Sequence, residues 1–418
     1  MATPRTSVPG RLRTFGRRLV DLLGPTGGAA RQSLVALFLN SSTSFVAGAA
    51  LGAITGTLEA LPGLLVMVPA AIGLRGNIFG SLGNRLSTSI HTGTYRPSLR
   101  SDSVVGQNVL ASISLTFILS LGLAVVARVV AAAFNVANVI GVLDLAVVSI
   151  AGGLLASVVV LGATLLLTSV GVRRGWDLDN LVAPSTATLG DVVTIPALWI
   201  ATFLLGHGRW TAGLGWALAA LSIVVFVASL RAHIPELRRI IRESLPVLSA
   251  AVVLSTLAGL VIQGRLTVFA ALPALLVLEP AFVSSAGSLG GILASRVGTN
   301  LHLGLVEPTL RPGREARRDA AAVFLLYVPV FLFNGIGATV VATLLGLDGP
   351  GLLRMVLASL IGGAVAVAFV IALAYYGTIA AWRSDLDPDT YGIPVVTASV
   401  DFVGAIAFIV TIAVLGIA

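Results

Sequence analysis

Apolar residues run through this chain in long blocks, separated by short polar, glycine- or proline-bearing segments. Eleven blocks can be delimited: Ser33–Leu58, Pro62–Ser89, Val104–Ala132, Leu143–Gly171, Leu181–Leu205, Ala212–Leu230, Leu245–Gln263, Thr267–Val297, Ala321–Leu345, Leu352–Tyr376 and Tyr391–Ala418. Each is about 20 residues or longer and nearly free of charge, the length a helix needs to cross a hydrocarbon core of about 30 Å. The pattern predicts an all-α integral membrane protein with eleven spans. The second and eighth blocks contain proline and several glycines, which predicts broken or kinked helices there.

The blocks repeat. An offset of 211 residues pairs Pro69 with Pro280, Gly76 with Gly287, Gly80 with Gly291, Arg85 with Arg296 and His91 with His302. Further on the offset is 210, pairing Asp177 with Asp387, Asp179 with Asp389, Pro184 with Pro394 and Asp191 with Asp401. Two tandem five-helix repeats account for ten blocks, and Ala212–Leu230 is left as a linker helix. Five spans leave the first repeat on the far side; the sixth returns the chain, so the second repeat starts in parallel orientation. Such repeats are related by a pseudo-two-fold axis along the membrane normal, which sets paired residues around a central path. The expected division is 1–32 as a basic tail, 33–206 as the first repeat, 207–241 as the linker and 242–418 as the second repeat.

Composition agrees with this reading. Charged residues are 11% and hydrophobic residues 56% of 418, against roughly 25% charged in a soluble domain. There is no cysteine, which excludes disulfides and thiol catalysis. All 26 basic residues are arginine. Their placement fits the inner membrane face rather than nucleic acid: 19 fall on the side of the N-terminus and four, Arg128, Arg209, Arg265 and Arg354, on the other. The expectation is a multi-pass cell-membrane protein with a cytoplasmic N-terminus and an extracytoplasmic C-terminus. In the tail, Arg11, Arg13, Arg17 and Arg18 alternate with Leu12, Phe15, Leu19 and Leu22, as in a short interfacial helix or a basic disordered segment.

Few polar groups interrupt the spans. Asp191 lies twelve residues beyond Asp179, roughly 18 Å along a helix, which places it and its mate Asp401 near mid-membrane. A carboxylate there costs about 2.5–3.5 kcal/mol even on insertion scales, and no arginine shares either span. A symmetric pair of carboxylates suits a divalent cation such as Mg²⁺, which sheds water reluctantly and prefers oxygen ligands; a protonated aspartate bonded between helices is the plainer alternative. Pro184 and Pro394 free carbonyls that could face an ion, or simply start helices. Asp177, Asp179, Asp387 and Asp389 form an acidic mouth that concentrates cations, or act as ordinary caps and loop charges. Asn77 offers an amide oxygen beside Gly73, Gly76 and Gly80, whose spacing also fits close helix packing. Arg85 and Arg296 are expected to snorkel to the boundary, with His91 and His302 as cap or interface residues. Glu279 has no counterpart, because Val68 holds the paired position. It is either an ion-site residue or the partner of Arg75.

The runs from Val68 to Asn77 and from Asn84 to Thr88, with Leu178 to Pro184 and Leu189-Gly190-Asp191, resemble the MgtE and solute carrier family 41 magnesium transporters. So does the second-half run from Asp387 through Pro394 to Asp401. The resemblance covers nearly all of residues 33 to 418, and the duplication within one chain is more like the solute carrier branch. It implies Mg²⁺ as the transported ion, a path between the halves, and binding by Asp191 and Asp401. It also implies that a single chain suffices as an internal pseudo-dimer in the lipid bilayer. Gly287-Ser288 stands where the family tends to have Gly-Asn, so the two halves are expected to differ. Another divalent cation, or Na⁺-coupled Mg²⁺ exchange, would fit the same residues. An intramembrane aspartyl protease also uses two membrane aspartates, but Thr188-Leu189-Gly190-Asp191 and Ala398-Ser399-Val400-Asp401 lack its Gly-x-Gly-Asp pattern.

Overall fold

The computed structural model describes residues 27–174, 178–384 and 393–417. The first half comprises α1 (Gly27–Ala53), α2 (Thr55–Ala60), α3 (Leu64–His91), α4 (Val104–Ala133), α5 (Val142–Arg174) and α6 (Leu178–Thr202). The linker helix is α7 (Arg209–Arg231). The second half comprises α8 (Pro235–Gln263), α9 (Leu266–Ala271), α10 (Ala274–His302), α11 (Arg314–Leu344), α12 (Leu352–Arg383) and α13 (Ile393–Val414). Among the described residues ten helices are long and apolar enough to cross a membrane, and α6 adds a shorter apolar stretch, Thr188–Thr202. Helices satisfy their own backbone hydrogen bonds, which is why such segments can be immersed in lipid. Val158, Val224 and Val410 are exposed on their helices away from the cavity, as lipid-facing residues are.

The second and eighth blocks are each interrupted at their first proline, Pro62 between α2 and α3 and Pro273 between α9 and α10, and not at the later one. Helices α3 and α10 run as single helices through Pro69 and Pro280. The chain is interrupted just before them, at the short helices α2 and α9, and these two touch each other. The expected amphipathic tail lies outside the described residues.

Element by element the halves correspond, α1 with α8 through α6 with α13. They are not two separate bundles. Helix α1 packs against α10 and α11 of the second half, and α8 packs against α3 and α4 of the first. Each keeps contact with the last helix of its own half, α6 or α13 respectively. Two equivalent seams result, α1–α10 and α8–α3. Glycine sets how close each seam is. A methyl group at Gly48 would overlap the Val277 backbone, and one at Gly259 would overlap the Val66 backbone. Both pairs obey the 211-residue offset, so the same backbone-on-backbone contact is built twice. Linker α7 lies on α4 and α5, on the first half's side.

Candidate ion site

Between the seams lies a cavity of about 1980 Å³, lined from α1, α3, α4, α6, α8, α10 and α13. At one end its walls are Leu51, Leu65, Ala258 and Ile262, all buried apolar residues. At the other they are Asn84, Thr88, Thr94, Glu236 and Arg239, with Asn84, Thr88, Thr94 and Arg239 exposed. Between these ends stand Asp191, Asp401, Glu279 and Asn77. Four of the residues singled out from sequence therefore share one cavity.

Their environments differ. Ser255 of α8 donates to Asp401 Oδ2 at 2.8 Å. The same carboxylate approaches Gly73, with Oδ2 4.0 Å from where a Cβ at that glycine would stand. Among the described residues Asp191 has no such donor: Ser44, the equivalent of Ser255, donates instead to the Asn40 carbonyl of its own helix at 2.9 Å. Glu279 has no ion pair among the described residues. No three His, Cys, Asp or Glu side chains among the described residues cluster tightly enough to hold a bare metal.

The pairing of Glu279 with Arg75 is not formed. Arg75 points into its own half, where Nη1 donates to Thr116 at 3.3 Å and Nη2 to Ser120 at 2.8 Å. It is 1% exposed and fills a hole beside Gly153, where a methyl group would collide with the guanidinium. In the second half the equivalent hole beside Gly363 is filled by the Phe331 ring. Phe331 occupies the Ser120 position and Ala286 the Arg75 position. One site holds a cation and a hydroxyl, the other a ring and a methyl, so Arg75 is a packing element of α3, α4 and α5.

Arg85 and Arg296 are each tied to the third span of their half. Arg85 Nε donates to Asn108 at 2.6 Å, and Arg296 pairs with Asp319 at 3.5 Å; Asn108 and Asp319 are equivalent positions. His91 and His302 end α3 and α10. Pro394 opens α13, as a helix start would, whereas Pro184 sits inside α6. Asp177, Asp387 and Asp389 lie outside the described residues, and of Asp179 only its place in the first turn of α6 is described.

Sequence reading missed Ser255 and Asn40. Asn40 Nδ2 donates to Ser284 at 2.9 Å and to Ser288 at 3.3 Å across the α1–α10 seam. A polar residue inside an otherwise apolar span was the available signal, and the Ser44–Ser255 match at the 211-residue offset marks the same helix face.

The profile of the MgtE divalent cation transporter family matches residues 68–201 and 279–411, one segment per half. Mouse solute carrier family 41 member 3 is 25% identical over 375 residues, 82% of this chain and 73% of that protein. Solute carrier family 41 member 2 of Xenopus laevis is 26% identical over 373 residues, 82% of this chain and 63% of the relative. The human member 2 is 24% identical over 371 residues, 82% and 62% respectively. No solved structure gives a significant match. A transporter family carries no enzymatic activity of the protease kind, and nothing supports the aspartyl protease reading. With two family segments, one in each half, this multi-pass membrane chain belongs to the MgtE family of divalent cation transporters.

Proposed function

We propose that the chain moves Mg²⁺ through the cavity between its halves, and that Asp191 and Asp401 bind the ion with its water shell. The observation that carries this is the convergence of two matched, mid-span carboxylates from α6 and α13 on one cavity. Neither forms an ion pair among the described residues. The cavity is roomy and its carboxylates do not form a tight chelate, which suits a cation that keeps several waters. Asn77 and Glu279 line the same space and complete the oxygen set. The acids Asp177, Asp179, Asp387 and Asp389 act at the mouth, raising local cation concentration. The mouth faces the cytoplasm, by the arginine asymmetry of the loops, and one chain is sufficient.

The test is Mg²⁺ flux into proteoliposomes, with and without a Na⁺ gradient and a membrane potential. Asp191→Asn and Asp401→Asn should each cut flux at least tenfold while the protein still inserts and elutes as a single species. Flux close to wild type from the double variant would sink the proposal. Dependence on the Na⁺ gradient would turn it toward exchange.

A further inference from the structure

The two halves differ in where they place one amide. In the α8–α3 seam the three facing positions are Ala251, Gly73 and Asn77; the equivalent positions of the α1–α10 seam are Asn40, Ser284 and Ser288. All six line the cavity. Among these three positions each seam thus has one asparagine, on the second span in the first half and on the swapped first helix in the second. Loss of the amide at Ser288 is matched by its gain at Asn40 directly across the seam.

The hydrogen bonds show how Asn40 is held. Its Nδ2 donates to Ser284 at 2.9 Å and Ser288 at 3.3 Å, and Ser284 donates back to Oδ1 at 3.3 Å. Two short hydroxyls on α10 fix the amide plane. Oδ1 has two lone pairs and Ser284 takes one, so a second remains for a proton of a metal-bound water. Asn40 also lies one turn before Ser44, the equivalent of the serine that holds Asp401, so it shares the cavity-facing side of α1. Serine alone could not fill this role, since its hydroxyl is shorter than an amide. The Gly73-to-Ser284 change supplies the clamp that the relocated amide needs.

We infer that Asn40 is the second half's amide ligand to the hydrated cation, delivered across the seam by α1, and is the functional counterpart of Asn77. The inference rests on the cation path proposed above. It makes the swapped first helix part of the ion site of the opposite half.

The test moves the amide. Purified full-length protein is titrated with Mg²⁺ and, separately, with Ca²⁺, and thermal stability is followed in parallel. Asn40→Ala should weaken Mg²⁺ binding about fivefold, the worth of one hydrogen bond, and should change the Mg²⁺ to Ca²⁺ affinity ratio. Adding Ser288→Asn, which recreates the arrangement of the first half, should bring Mg²⁺ affinity back to within about twofold, whatever happens to the melting temperature. If Asn40→Ala does not fold, the mirror pair decides. Asn77→Ser should lose affinity, and Asn77→Ser with Ala251→Asn and the clamp change Gly73→Ser should regain it. A purely structural Asn40 would lower stability and leave the ratio of affinities unchanged, and that result overturns the inference. So does failure of the relocated amide to restore binding in a folded protein. Asp191→Asn and Asp401→Asn in the same titration separate the two levels. If they abolish binding and Asn40→Ala does not weaken it, the amide assignment alone fails; if they change nothing, the path itself is misplaced.

Discussion

The two glycine seams should control access to the cavity from its apolar end. At that end the walls are Leu51, Leu65, Ala258 and Ile262, and directly beside them Gly48 and Gly259 rest on the backbones of Val277 and Val66. Gly→Ala at either position adds one methyl where a main chain already stands. Backbone cannot move aside as a side-chain tip can, so each substitution should cost the closed arrangement about 1–3 kcal/mol, the usual range for overpacking. A cost of about 1.4 kcal/mol shifts a two-state equilibrium tenfold. The two seams share no partner residue, so the costs should add to within about 0.5 kcal/mol. The double variant should then favour any state opened at that end by roughly a hundredfold. Because the native chain has no cysteine, a single Ala251→Cys reports cavity access cleanly. In sided vesicles an impermeant thiol reagent should reach it only through the end bearing Glu236 and Arg239. With Gly48→Ala and Gly259→Ala added, labelling should appear from the opposite side as well. Unchanged labelling together with an unchanged melting temperature would refute the reasoning, since neither the steric contact nor its gating consequence would then exist.

Other expectations follow from single contacts. Ser255→Ala removes the 2.8 Å bond that orients Asp401; hydrogen bonds to charged groups are worth about 1.5–3 kcal/mol, so Mg²⁺ affinity measured by calorimetry should fall at least tenfold. Ser44→Ala, whose hydroxyl serves only its own helix, should change it little. Arg75→Ala should lower thermal stability by about 3 kcal/mol through the hole it leaves. The pair Arg75→Ala with Ser120→Phe, which copies Ala286 and Phe331, should recover most of that loss. Because Arg75 and Glu279 do not touch, Arg75→Met and Glu279→Gln should have additive effects on stability in a double-mutant cycle.

Much of this architecture was legible in the chain. Apolar block lengths give the spans, because a helix has a fixed rise and a bilayer a fixed thickness. The 211-residue offset gives the halves, and the scarcity of charge within spans isolates Asp191, Asp401 and Glu279. What the sequence could not supply is which helix lies against which. Sequence order places α1 with its own half, but its glycine and small polar face fits α10, and that exchange decides the neighbours of Asn40 and Ser255. Of the two readings of Glu279, the pairing with Arg75 fails for the same reason. Opposite charges at similar depth are natural partners on paper, yet α3 turns Arg75 toward α4, where Thr116 and Ser120 receive it. Proline had two outcomes: Pro62 and Pro273 sit in the breaks before α3 and α10, as expected, while the later prolines do not interrupt the helix. Pro69 and Pro280 sit near the start of long helices, where one missing amide donor does not force a break.

The departures from symmetry sort by location, and the sorting says what each half is free to change. Inside the individual bundles the substitutions conserve volume rather than chemistry: an arginine and a serine against an alanine and a phenylalanine, filling equivalent holes beside Gly153 and Gly363. Such exchanges keep the helices at the same spacing, which packing demands. Along the cavity they conserve chemistry rather than position. One amide stays in each seam although it changes helix, and Asp191 and Asp401 stay on equivalent turns. Arg85 with Asn108 and Arg296 with Asp319 keep a bonded arginine on each side while only one pair is ionic. Glu279 is the exception at mid-cavity, a carboxylate beside the aspartate pair with an apolar counterpart, Val68. A chain that must bind a doubly charged ion already has two matched aspartates, so a third acid changes the charge of the site without being needed to neutralise its cargo. Its removal is therefore the change expected to alter how tightly the ion is held while leaving the route itself intact.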